Sequence, residues 1–117
     1  MPRSAGDAAP RTYLCAGDWP DGHLRDDAPV SAHYGQEFAK RLRDALVESG
    51  TPSLRSVEED TKVSRRTIER TLRGETLPDF GAIARLEEWL DRELWPGPDM
   101  RAGKTQRATR EEILDQR

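Results

Sequence analysis

An all-α domain of four to five short helices, with loosely structured N- and C-terminal extensions, is the fold class this sequence predicts. Three observations predict it. Apolar residues recur at helical spacing only in the middle of the chain; serine, aspartate and glycine stand where helices start and stop; and no internal repeat or heptad run suggests another architecture. At 117 residues, 34% hydrophobic and 35% charged, the chain suffices for one small domain with tails, and its core must be concentrated. The expected division is an N-terminal arm over 1–35, mostly irregular, a helical domain over 36–96, and a charged tail over 97–117. A unit of about sixty residues folds alone only marginally.

The arm is rich in Gly, Pro, Asp and Ala and shows no sustained period. Arg11-Thr12-Tyr13-Leu14-Cys15 reads as a short strand or as a segment laid on the domain, and Asp18-Trp19-Pro20-Asp21-Gly22 is a turn signal. Tyr13 and Trp19 are the arm's candidates for docking. The first helix is expected from Gln36 to Ser49. Phe38, Leu42, Ala45 and Leu46 share one face, Glu37/Arg41 and Lys40/Asp44 are spaced for i,i+4 pairs, and Gly50 ends the run.

Ser53 is placed to cap a helix reaching about Asp60, since its oxygen can accept from a free N–H of the first turn. Ser64 caps the next, which stops at Gly74. Only Thr61, Lys62 and Val63 separate them, so the two helices must cross steeply, as in a helix-turn-helix. At ~100° per residue, Ile68, Thr71 and Leu72 fall on one face of the second helix, and Arg66, Glu69, Arg70 and Arg73 fall on the other. Glu75-Thr76-Leu77-Pro78 is a loop. Asp79 then caps a helix expected to run to about Leu94, with Phe80, Ile83, Leu86, Leu90 and Leu94 as its apolar stripe, stopped by Trp95-Pro96-Gly97-Pro98. Trp89 lies off that stripe, as a residue flanking the core or as part of a dimer contact with Trp95. In the tail, Thr109-Arg110-Glu111-Glu112 fits a capping box before Ile113-Leu114, compatible with a short final helix.

Charge is unevenly placed. Lys62, Arg65, Arg66, Arg70 and Arg73 stand against the single acid Glu69 between Lys62 and Gly74, a local excess of positive charge in a chain of net charge -3 and pI near 5.4. Such a balance argues against coating nucleic acid through bulk charge and against a polybasic membrane binder. Any contact with a polyanion has to come from this patch. Cys15 is the only cysteine, so no intrachain disulfide is expected, and no secretory or membrane-spanning apolar run is present. A reducing, cytoplasmic setting is the expectation. A zinc site drawing on Cys15, His23 and His33 lacks ligand spacing, and neither metal nor cofactor is expected. An enzyme is not expected either, because no Ser or Cys is paired with His in a supporting context and no glycine loop cradles phosphate.

Four helices with a capped helix-turn-helix at the second and third, Val63-Ser64 at the turn, Ile68 on the core face, and Arg73-Gly74 followed by Leu77-Pro78 resemble the Cro/phage-repressor-like, or XRE, family of bacterial and phage DNA-binding domains. The likeness covers about Gln36 to Trp95. Glu58, Lys62, Thr61 and Leu54 stand where that family often has alanine, glycine, leucine and glutamine. Lys62 must therefore take a strained conformation, or the turn must be shaped differently.

The resemblance implies that the helix at 64–73 enters the major groove of double-stranded DNA. Arg65, Arg66, Thr67, Glu69 and Arg70 are then the base-reading candidates. A guanidinium bonds guanine O6 and N7, a carboxylate accepts from cytosine N4, and a threonine methyl meets thymine. Ser53, Arg55, Ser64, Arg73 and Thr76 are the phosphate-binding candidates, helped by the positive end of the second helix. The expected function is a sequence-specific transcriptional regulator in the bacterial cytoplasm, at the nucleoid. A homodimer through Trp89, Leu94, Trp95 or the tails would double its site. The alternative is a helix-turn-helix reused to bind a protein partner through Tyr13, Trp19 or Trp95, or as an accessory DNA-binding subunit.

Overall fold

A computed structural model describes residues 7–97, in which four α-helices make an all-α fold with a small two-stranded ribbon at its edge. The expected final helix at 109–114 and the tail that holds it lie outside the described residues. The helices are α1 (Val30–Glu48), α2 (Leu54–Thr61), α3 (Arg65–Leu72) and α4 (Phe80–Leu90).

Helix α1 begins two turns before the expected Gln36. Pro29 stands at its N-cap, and the added turns bury Ala32 and Gly35, residues too small to register as an apolar stripe. Gly35 is needed for space: a Cβ there would meet Leu77 Cδ2 at 2.8 Å and Pro10 Cγ at 3.0 Å. The expected face holds, with Phe38, Leu42, Ala45 and Leu46 all buried. They form one cluster with Val57, Val63, Ile68, Ile83, Leu86 and Leu94, so every helix contributes to a single core.

The two short helices start as their serines dictate. Ser53 Oγ accepts from Ser56 N at 3.3 Å and Ser64 Oγ accepts from Thr67 N at 3.0 Å. Thr61 shapes the joint between them. Its buried hydroxyl donates to Val57 O (2.7 Å) and accepts from Val63 N (3.1 Å), which points Val63 into the core. Lys62 takes the strained conformation, with φ 67° and ψ 14°. Glycine suits this left-handed region, whereas a side chain there costs ~1–2 kcal/mol. We expect Lys62→Gly to raise stability by ~0.5–1 kcal/mol once the backbone entropy of glycine is subtracted, read as a higher urea midpoint with an unchanged slope.

Helix α4 is shorter than expected and its stripe needs two corrections. Asp79 caps it through Ala82 N at 2.8 Å, but Asp91 adopts a left-handed conformation (φ 56°) and ends it before Leu94. Glu87 stabilises the exit, since its Oε2 accepts from both Leu94 N (2.8 Å) and Trp95 N (2.9 Å). Leu94 thus reaches the core from the following segment and is 0% exposed. Phe80, expected on the stripe, is 85% exposed because it opens the helix on the side facing away from the cluster. Trp89 is half-buried and packs on the core.

The arm is more ordered than a mostly irregular segment. A 3-10 turn (Pro10–Tyr13) leads into β1 (Leu14–Ala16), which pairs antiparallel with β2 (His23–Leu24) around the Asp18–Gly22 turn. Pairwise contacts hold it. Leu24 and Pro10 are buried, Gln36 Nε2 donates to Gly22 O (2.8 Å), and Trp19 Nε1 donates to Leu72 O at the end of α3 (3.1 Å). Arg43 Nη1 meets Asp21 Oδ2 at 2.8 Å, and this hydrogen bond holds the Asp21 carboxyl below the usual carboxylate range. That contribution to stability is complete above the unfolded carboxyl's ordinary pKa and is lost as pH falls through the lowered one.

Candidate nucleic-acid interface

Helix α3 is fixed from below and at both of its ends. Ile68 and Thr71 are buried beneath it, Ser64 caps its start, and its C-terminal end is gripped by the arm. At that end Gly74 has φ 74° and lies under the Trp19 indole, so close that a Cβ would meet Trp19 Cε2 at 2.4 Å. Arg11 N donates to Gly74 O at 2.9 Å beside it. A short helix held at both ends is a rigid mount for the side chains it points outward.

Those side chains fall into two groups. Ser64, Arg65, Arg66 and Glu69 line a shallow groove together with Glu58 of α2. Arg70 lies apart, lining a second groove with Glu75, Thr76, Leu77 and residues 7–10 of the arm. The base-reading candidates are thus spread along the helix, with Arg65, Arg66 and Glu69 on one groove and Arg70 on the other. Thr67 is half-buried, and its hydroxyl accepts from Ser64 Oγ at 3.0 Å, so it serves the cap.

Whether the positive charge is available depends on the acids around it. Arg65 Nε is 3.7 Å from Glu58 Oε1, and Arg70 Nε is 3.8 Å from Glu75 Oε1. Both distances exceed the ~2.7–2.9 Å of a charge-assisted hydrogen bond, and both pairs are exposed, so water and ions screen them. Arg55, Lys62, Arg66 and Arg73 are exposed and form no ion pair among the described residues. The patch therefore keeps most of its charge for an external anion. Glu58 points outward enough to reach Arg65, its side chain 43% exposed.

Among the phosphate-binding candidates, Arg55 follows Ser53 in the first turn of α2, and Arg73 closes α3 as its C-cap. Ser64 spends its oxygen on capping, and Thr76 Oγ1 makes one long bond to Leu77 O (3.5 Å). Sequence reasoning counted Lys62 in the basic patch without naming it a contact residue, and it assigned no role to Glu75. Lys62 is exposed at the turn and adds a cation beside the start of α3. Glu75 follows a helix-ending glycine, where no helical spacing predicts its neighbours.

Of the expected dimer residues, Leu94 is corrected: a fully buried side chain offers no surface to a second copy. Trp95 is 38% exposed and stacks edge-on with Tyr34, their centroids 5.1 Å apart. Among the described residues no helix is long and apolar enough to cross a membrane, and no group of three or more His, Cys, Asp or Glu is placed to hold a metal ion. Compared with protein-family models, curated proteins and solved structures, the chain matches none.

Proposed function

We propose that this chain is a sequence-specific DNA-binding regulator of the Cro/repressor-like kind, in which α2 and α3 act as a helix-turn-helix and α3 enters the major groove. One observation supports this most: α3 is held at both ends and turns an arginine-rich face to solvent, with Arg66 and Arg73 unpaired among the described residues. Arg66 and Arg70 read bases by bidentate bonding, with Arg65 and Glu69 beside them. Arg55, Arg73 and the N-terminal end of α2 bind phosphate and set the register. One such helix reads few base pairs, so two copies on a pseudo-palindrome with half-sites one helical turn apart complete the site. On this reading the protein works in the cytoplasm of a bacterium or of a phage-infected cell, at the nucleoid.

Selection of bound sequences from a random duplex pool tests the reading, followed by affinity measurements on the selected site at rising salt. We expect affinity to fall steeply, with a log–log slope near -0.9 for each phosphate neutralised. Arg66→Ala or Arg70→Ala is expected to cost ~1–3 kcal/mol and to relax preference at one base position, whereas Arg55→Ala or Arg73→Ala weakens all sequences alike and lowers the slope by ~1. Equal loss on specific and random DNA for all four would mean that the reading face is misassigned. A second reading, a protein-interaction module, draws on the exposure of Phe80 and Trp95. Flat salt dependence, or no binding to any duplex, selects it.

A further inference from the structure

Glu75 lies between two guanidiniums drawn from distant parts of the chain. Its Oε2 is 3.8 Å from Arg11 Nη1 and its Oε1 is 3.8 Å from Arg70 Nε. The backbone builds this corner: Glu75 N donates to Arg70 O (2.9 Å), and Gly74 O accepts from Arg11 N (2.9 Å). Arg11 is thus delivered to the side of α3 by folding of the arm, and the carboxylate between them offsets the repulsion of two like charges. At these separations the carboxylate does not use up the donors of either arginine, since charge-assisted bonds form at ~2.7–2.9 Å. All three side chains are accessible from outside, at 51% exposure for Arg11, 45% for Arg70 and 36% for Glu75. A phosphodiester presents the same chemistry as this carboxylate, anionic oxygens for a guanidinium fork.

We propose, resting on the DNA-binding reading above, that Arg11 is an additional phosphate anchor and that Glu75 is an internal counter-charge which a DNA phosphate displaces. Before binding, Glu75 keeps Arg11 and Arg70 side by side. On binding, the phosphate takes over Arg11, and Arg70 is released toward the groove. Glu75 therefore lowers affinity for every duplex, because the exchange is required whatever the base sequence.

The test uses the full chain and a short random-sequence duplex, with binding followed by fluorescence anisotropy across a salt series. Arg11→Ala is expected to make the log–log salt slope shallower by about 0.9, the value for one lost phosphate contact. Glu75→Gln is expected to tighten binding roughly 3- to 10-fold at low salt, as expected for release of two exposed pairs. Glu88→Gln on α4 is the charge-matched control and should gain less. In the triple variant E75Q/R11A/R70A the gain over R11A/R70A should disappear. Both single changes replace exposed side chains and keep the backbone N–H groups, and circular dichroism verifies the fold of each. An unchanged slope in Arg11→Ala overturns the anchor, and a Glu75→Gln gain that equals the control or survives loss of both arginines overturns the counter-charge. No binding by the unaltered chain at any salt overturns the DNA-binding reading and this proposal with it.

Discussion

Phe38→Ala is expected to lower the folding free energy by ~3–5 kcal/mol, the range for truncating a fully buried phenylalanine. Phe38 is 0% exposed at the middle of α1, in the cluster that also takes Val57 from α2, Ile68 from α3 and Leu86 from α4. Its ring also lies 6.3 Å from that of Trp95, so the chain after α4 loses a contact as well. Small domains are stable by only ~5–15 kcal/mol in total. A large share of that margin goes with one side chain. Urea denaturation followed by circular dichroism reads the change, and on the proposed DNA-binding reading any loss of affinity tracks the unfolded fraction. A cost under ~1 kcal/mol would show that the four helices do not share this core.

Gly74→Ala is the second large effect, expected at ~2–4 kcal/mol, and it has two sources. The backbone there is left-handed (φ 74°), which costs a side chain ~1–2 kcal/mol, and the new Cβ would lie 2.4–2.8 Å from three atoms of the Trp19 indole. The ring cannot stay. With it goes the bond from Trp19 Nε1 to Leu72 O that closes the end of α3. Trp19→Phe separates the parts, because it removes this bond while leaving the glycine unstrained. Emission of Gly74→Ala, compared with that of Trp19→Phe, reports whether the indole has moved into water. If Gly74→Ala costs less than ~1 kcal/mol and leaves tryptophan emission unchanged, the arm does not dock on α3.

Local chemistry was what the sequence made legible. Ser53, Ser64 and Asp79 cap the helices they were expected to cap, because a side-chain oxygen acting on N–H groups two or three residues on is a short-range event. Lys62 and Gly74 are left-handed where one helix had to stop and the chain had to turn. The face of α3 was legible for the same reason, since Ile68 and Thr71 alone fix which side is buried. What escaped was small or distant. The first turns of α1 bury Ala32 and Gly35, which carry almost no hydrophobic signal, and Gly35 matters through the atoms that approach it. Leu94 kept its place in the core but not in the helix, because periodicity cannot tell a last turn from a segment tied back by Glu87. For the candidate interface, residue types were readable. Their neighbours were not: the pairing of Arg65 with Glu58 crosses between helices, and that of Arg11 with Glu75 crosses most of the domain.

Trp19 bonds to a carbonyl 53 positions further along the chain. The arm leaves a ribosome before α3 does, so its indole lacks this partner until α3 and the glycine behind it have been made. Docking of Trp19 on the end of α3 follows completion of that helix and cannot precede it, whereas the contacts of the arm with α1 need no residue beyond Arg43. A nascent chain halted before Leu72 would hold its arm only through α1. Emergence of Leu72 and Gly74, rather than of the first strand, therefore sets when the C-terminal end of α3 acquires its final shape.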